Sequence, residues 1–370
     1  MEDPRSTHSR FLLTLLLRIV IVLALLPSQL ACRTETVTVP AADEEVAIAT
    51  ESPDVTLAGT LSLPAGNEPH PAVLLLTGSG GHTRDQVISG TPMFKVIGDY
   101  LVDRGLAVLR VDDRGTGDSS GPSVRESTMD DRAADARAAF RYLLERPEID
   151  ATRVGLLGHS EGAMTGPRLA VEEPRVSFLV LLAPPSVPGA EIWVRQQGDM
   201  LRREGEMPEQ QIAAIESALT DMVVHIGQEG NTDDGFYRYG RAACLAWGDP
   251  PREVTPEFVS EAFGDLRQPW YRQFFSSDPQ EALRELDRPV LALFGGADQQ
   301  VIVDQNVAAL EAGLRAAGNE SFTVTVLPDE DHFFLGAPGL APNEHVHGQM
   351  LVSQSMLQAV ASWIELRTDG

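Results

Sequence analysis

Four short, almost unbroken apolar runs constrain this chain more than any other feature. They are AVLLL (72–76), LAVLRV (106–111), VGLLG (154–158) and FLVLLA (178–183). Runs of this length suit parallel strands buried on both faces. Helical stretches lie between them. FKVIGDYLVDRG (94–105) ends in a glycine, the usual helix stop. MDDRAADARAAFRYLLER (129–146) sets Ala133, Ala136, Phe140, Leu143 and Leu144 on one face, with charges opposite and Pro147 closing it. Two later strands, PVLALFGG (289–296) and FTVTVLP (322–328), and a final helix over about 348–366 continue the pattern. VTLAGTLSL (55–63) alternates as one strand of an N-terminal hairpin. Strand and helix in alternation predict an α/β protein with a doubly wound, mostly parallel sheet.

The gap from Ala183 to Pro289 holds 105 residues, where a crossover needs about a dozen or a few more. The surplus reads as an inserted helical cap over residues 186–287. Ile212, Ile215, Leu219 and Val223 recur there at helical spacing. The insertion also carries 11 of the chain's 22 aromatic residues, so it is expected to offer an apolar wall to ligands. Trp270, Tyr271, Phe274 and Phe275 are the candidates for that wall. The sheet is then divided between residues 53–185 and 288–370.

The N-terminus reads as an address. FLLTLLLRIVIVLALL (11–26) follows Arg5 and Arg10. As a helix it spans about 24 Å, short of a bilayer core of about 30 Å. A signal peptide over residues 1–32 fits better than a permanent span. Ala31-Cys32 resembles the end of a bacterial lipoprotein signal, although Gln29 stands where leucine is usual. Lipidation at Cys32, ordinary cleavage nearby and an uncleaved anchor are the three readings. Each sets the rest of the chain outside the cytoplasm, secreted or held at the membrane through its N-terminus. Residues 33–52 read as a tether.

Composition removes several classes of function. Twenty-nine basic residues against 54 acidic ones leave a net charge of −25, and no stretch is basic enough to grip nucleic-acid phosphates. Lys95 is the only lysine, which excludes a lysine-ended phosphate loop and disfavours Schiff-base chemistry. Two cysteines, Cys32 and Cys244, exclude a disulfide scaffold and a four-cysteine zinc site. Cys244, in AACLAW, reads as a buried, inert thiol.

The sharpest local motif is Gly158-His159-Ser160-Glu161-Gly162. It follows the VGLLG strand and opens a helical stretch, the setting that a nucleophile elbow requires. A very tight turn lifts the serine, and Gly158 and Gly162 avoid the clashes that side chains would make. A serine hydroxyl needs a base, and the base needs an orienting carboxylate. In this architecture they follow in the order serine, acid, histidine. Asp298, in FGGADQQV, lies just past a late strand, and His332, in LPDEDHFF, follows the last one. His345 and His347 are the rival bases. Asp304 is the rival acid, read instead as a helix cap. Asp329 and Asp331 read as solvated loop charges. The oxyanion hole is expected from two backbone N–H groups. One is that of Glu161; the other is that of Ser79, in the Gly78-Ser79-Gly80-Gly81 loop after AVLLL.

These features together resemble the α/β-hydrolase superfamily over about residues 55–366. Within it the chain is most similar to bacterial secreted or lipoprotein serine esterases of the EstD type. The resemblance rests on Gly78-Ser79-Gly80 with Arg84-Asp85, on Asp112, Arg114, Gly115, Gly117 and Ser119, and on Arg146, Ile149 and Asp150 before the elbow. It implies an α/β-hydrolase fold and gives the Arg114 loop a bracing role. Two departures stand out. His82 occupies the loop after Gly80, where relatives often carry a proline and polar residues. Gly166-Pro167 interrupts the helix after Ser160 and is expected to kink or shorten it. The expected function is hydrolysis of small-molecule carboxylic esters through an acyl-enzyme, which needs no metal or organic cofactor. A peptidase or thioesterase with the same triad is the alternative. A non-catalytic surface binding protein on a hydrolase fold is the reading from another class.

Overall fold

The computed structural model describes residues 42–66, 68–228, 230–337 and 339–368. The leader and Cys32 lie outside the described residues. Eight strands form one sheet: β1 (Ala42–Ala49), β2 (Thr56–Leu63), β3 (His70–Leu76), β4 (Ala107–Val111), β5 (Ile149–His159), β6 (Leu179–Leu182), β7 (Val290–Gly295) and β8 (Phe322–Leu327). Their spatial order is β1-β2-β4-β3-β5-β6-β7-β8. β1 and β2 pair antiparallel, as do β2 and β4. From β4 to β8 every pairing is parallel.

The continuous apolar runs follow from this placement. Ala72, Leu74 and Leu76 of β3 enter one core cluster, while Val73 and Leu75 enter the other. The first cluster takes side chains from α2 (Met129–Leu144), α3 (Glu161–Glu172) and α10 (Val303–Ala316). The second takes them from α1 (Met93–Val102) and α11 (Gln354–Thr368). Each fully buried leucine contributes about 1.5–3 kcal/mol from leaving water, so a central strand with a polar residue on either face would be costly. Thr128 caps α2 by accepting from Asp131 N–H at 3.1 Å, and the Asp131 carboxylate accepts from Thr128 N–H in return. α3 runs through Pro167 as one helix of 12 residues, longer than the Gly-Pro pair suggests.

Part of the expected tether is strand. Residues 42–49 form β1, with Val46 and Ile48 buried and pairing with Gly59 and Leu57. Glu44 and Glu45 made the segment look solvated, and only two positions carry its apolar face. Residues 42–49 of that segment therefore belong to the sheet.

The chain divides into two compact units. Among the described residues, one holds the sheet, with residues 42–192 and 277–368; the other takes in Trp193–Ser276. The helical unit is thus narrower than 186–287. It contains most of α4 (Gly189–Glu204), then α5 (Glu209–Gly227), α6 (Asp233–Trp247), α7 (Pro256–Phe263) and α8 (Pro269–Ser276). α5 buries Ile212, Ile215, Leu219, Met222, Val223 and Ile226, the face its spacing predicts. A short α9 (Gln280–Leu283) belongs to the sheet unit.

Candidate active site

Ser160, Asp298 and His332 each follow the carboxyl end of a sheet strand, where α/β proteins gather their ligands. Ser160 joins β5 to α3 at φ +53° and ψ −113°, a backbone region that costs a non-glycine residue about 1–3 kcal/mol. The neighbouring glycines make that turn sterically feasible. A Cβ at Gly158 would run into the Gly162 carbonyl, and one at Gly162 would run into the Leu76 carbonyl of β3. Ser160 N–H donates to the Leu182 carbonyl at 2.9 Å, tying the elbow to the next strand.

Asp298, His332 and Ser160 come together from three strand ends. His332 Nδ1 is 2.8 Å from Asp298 Oδ2, and His332 Nε2 is 3.1 Å from Ser160 Oγ. Asp298 and His332 are buried, while Ser160 keeps exposed surface. The other oxygen of Asp298 accepts from Gln300 N–H at 2.7 Å and Val301 N–H at 2.9 Å. The carboxylate is thereby fixed before it meets the ring. Ala297 N–H donates to the Glu330 carbonyl at 2.9 Å, joining the Asp298 loop to the His332 loop.

The rivals sit elsewhere. His345 pairs with Asp331, and the His347 ring lies against Gly90. Asp304 falls in the first turn of α10, whose N-cap is Ile302. Asp331 is not a solvated charge: it is 1% exposed. Its Oδ1 accepts from Phe333 N–H at 2.9 Å and Leu335 N–H at 3.2 Å. It shapes the turn that carries His332. Asp329 is exposed, as expected.

The glycine loop after β3 lies against the elbow; a Cβ at Gly78 would stand 3.5 Å from Ser160 Cβ. Sequence reasoning missed what holds this loop. Arg132, on α2, donates to the Gly80 carbonyl at 3.0 Å, the Gly78 carbonyl at 3.1 Å and Thr77 Oγ1 at 3.1 Å. It also pairs with Glu161 at 3.1 Å. Burial works against the Arg132 charge, but Asp113, Glu161 and Asp135 outweigh it, so its pKa is raised. His82 reaches in as well, donating from Nε2 to the Ser79 carbonyl at 2.9 Å. The three carbonyls of residues 78–80 are thus all engaged, which orients the peptides between them. Arg132 sits among the charges of an amphipathic helix, and nothing local marks it out. A small pocket is lined in part by Thr77, Asp113, Arg132 and Gly162.

The motif residues carried by resemblance form buried ion pairs. Arg84 forks onto Asp112, at 3.1 Å from Nε and 2.8 Å from Nη2. Arg114 forks onto Asp135 of α2, at 2.6 and 2.8 Å. Both brace loops at the sheet end. In the helical unit, Trp270 and Phe274 stack with centroids 5.0 Å apart, and Tyr271 and Phe275 extend the cluster. Phe274 and Phe275 are buried, while Trp270 and Tyr271 are half-buried. Burial pushes the Cys244 thiol up to about 12, in keeping with an inert cysteine.

Comparison with known proteins agrees with this architecture. The profile described as the alpha/beta hydrolase family matches residues 73–341. Esterase EstD of Thermotoga maritima is 27% identical over 318 residues, covering 85% of this chain and 67% of that protein. An uncharacterized protein of Mycobacterium tuberculosis is 34% identical over 114 residues, covering 31% of this chain and 36% of its own length. Among solved structures, the Pyrococcus furiosus esterase Pf2001 aligns with a TM-score of 0.52 at 17% identity, over 89% of this chain and 92% of that one. Ferulic acid-bound Est1E of Butyrivibrio proteoclasticus aligns at 0.52 and 15%, over 88% of this chain and all of its own. At such identities these two carry the fold alone.

Proposed function

Since the chain belongs to the alpha/beta hydrolase family, we propose that it is a carboxylic ester hydrolase that works through a Ser160–His332–Asp298 triad on small-molecule esters. The observation that carries this reading is the relay of 3.1 Å from Ser160 Oγ to His332 Nε2 and 2.8 Å from His332 Nδ1 to Asp298. The similarity to an esterase over 85% of the chain supports the reaction class.

In this reading the Ser160 oxygen bonds to the ester carbonyl carbon as its proton passes to His332 Nε2. The carbonyl π pair moves to the oxygen, where the N–H groups of Ser79 and Glu161 stabilise it. The C–O bond to the alcohol then breaks, and the alcohol takes the proton from His332. Water repeats the sequence on the acyl-enzyme and returns the serine. Asp298 keeps Nδ1 protonated, so that Nε2 presents its lone pair, and it stabilises the imidazolium. Asp298 and His332 act from buried positions, where charge–charge interactions are stronger than in water.

Steady-state kinetics on short-chain aryl esters test it. Ser160→Ala and His332→Ala should each lower kcat by about 10⁴–10⁶-fold, and Asp298→Asn by about 10⁴-fold. A fluorophosphonate should label the wild type and not Ser160→Ala. Ester turnover that survives Ser160→Ala would remove the reading. Faster turnover of matched amides or thioesters would move the substrate class to those bonds.

We further propose export, on residues 11–32 alone, with lipidation at Cys32 tethering the enzyme to a membrane. A fatty-acid label that Cys32→Ser abolishes is the expected result. A mature N-terminus beyond Cys32 would replace lipidation with simple secretion.

A further inference from the structure

Three parts of the site are joined by a single file of hydrogen bonds that the reaction described above does not use. Gly78 N–H, in the glycine loop, donates to Gln86 Oε1 at 2.8 Å. Gln86 Nε2 lies 3.0 Å from His159 Nδ1. His159 Nε2 lies 2.9 Å from the carbonyl oxygen of His332. Gln86 and His159 are 0% and 1% exposed. Gln86 has φ +41°, strain of about 1–3 kcal/mol that the surroundings must sustain.

The direction of every bond in the file is determined by its ends. A peptide N–H only donates, so the Gln86 oxygen must face Gly78. Its amide NH₂ must then donate to His159 Nδ1, which carries no proton. The His332 carbonyl only accepts, so His159 Nε2 carries the proton. The file therefore exists only with a neutral His159 in one tautomer. A second proton, on Nδ1, would set N–H against N–H.

On the reading of the site as a Ser160 esterase, we infer that Gln86 and His159 are positioning residues. They form a neutral strut that holds the glycine loop and the peptide of His332 in register with Ser160. The strut reaches the loop beside Ser79, the elbow residue before Ser160, and the backbone of the base. It touches no reacting atom. The titratable groups that face the His159 ring are His332, at 4.9 Å between centroids, and His82; Phe333 packs on it at 5.7 Å, and Met93 Sδ lies 4.0 Å from the Gln86 amide. Burial first, and then His332, press the His159 pKa well below the usual histidine range.

Gln86→Leu removes both bonds at nearly constant volume, and Gln86→Glu keeps the acceptor for Gly78 while replacing the donor. Rates are counted per active site titrated with fluorophosphonate, so that unfolded protein drops out. Gln86→Leu should lower kcat at least tenfold, with KM within threefold of wild type. Gln86→Glu can rebuild the strut only when the new carboxyl and His159 together hold one extra proton between them. Its kcat/KM relative to wild type should therefore be highest near pH 6 and fall toward about pH 9, across the ordinary histidine range. Nitrogen-15 spectra of histidine-labelled protein should show wild-type His159 neutral, with its proton on Nε2, throughout that range. In Gln86→Glu its signal should shift as that shared proton is lost. A per-site kcat for Gln86→Leu within twofold of wild type would overturn the strut, as would a wild-type His159 that titrates or carries its proton on Nδ1. Failure of Ser160→Ala to abolish turnover would instead remove the esterase reading, so the two failures are distinct.

Discussion

Arg132 concentrates the electrostatics of the site in one side chain. It is 9% exposed on its side chain, and its partner Glu161 is 1% exposed. Removing one member of a buried pair leaves the other charge unanswered, at about 3–5 kcal/mol. Arg132→Ala should lose that much stability in urea denaturation. Its kcat should also fall, because the Gly78 and Gly80 carbonyls lose their donor. A loss below about 1 kcal/mol would mean that water replaces the guanidinium without cost. Arg132→Lys should rescue little, since a single ammonium does not reproduce the fork. His159 makes the stability depend on pH. Its folded pKa is lowered by burial, so the unfolded chain takes up the proton first as pH falls. The stability it contributes is complete above the ordinary histidine pKa of about 6.5 and is lost progressively below it. Denaturation at about pH 5 and pH 7.5 should show a smaller difference for His159→Gln than for wild type. An equal difference would assign that slope to carboxylates alone.

At the scale of elements, the elbow is a packing problem before it is a chemical one. β3, β5 and the start of α3 approach so closely that Gly162 has the Leu76 carbonyl where a Cβ would go. Gly162→Ala must part helix and strand. We expect a loss of about 3 kcal/mol, at the upper end for an inserted methyl group, together with reduced fluorophosphonate labelling per folded molecule. Normal labelling would mean that the strand end yields without moving Ser160. The loops after β7 and β8 behave alike. Gly295 has no room for a side chain against the Asp331 and Glu330 carbonyls, which draws the Asp298 and His332 turns together. Asp331 completes that turn from beneath.

For the whole molecule, a net charge of −25 gives a field that repels anions at long range. An ester bearing a carboxylate remote from the reacting bond should show a lower kcat/KM than its neutral isostere. The gap should narrow as ionic strength rises from about 10 mM to about 150 mM, where the screening length shortens from about 30 Å to about 8 Å. A gap that ignores salt would place the discrimination in local contacts instead.

The sequence by itself determined the parts whose physics is local. Strands buried on both faces must be continuous apolar runs, so β3, β4, β6 and β7 stood out within two residues of their observed ends, and β5 in its carboxyl-terminal half. The elbow declared itself because its turn tolerates only glycine on either side of the serine. Asp298 and His332 followed from their order after the late strands, and the structure joins them to Ser160. Tertiary structure alone decided the rest, because those groups take their meaning from partners far along the chain. β1 is a strand only because β2 offers it an edge. Asp331 looked solvated until the turn folded around its carboxylate. Arg132 reaches residues 52–55 positions away, and Gln86 meets His159 across 73. A polar side chain on an amphipathic helix or in a loop carries no local mark of such a contact. Its desolvation is compensated only when the sheet brings the partner in.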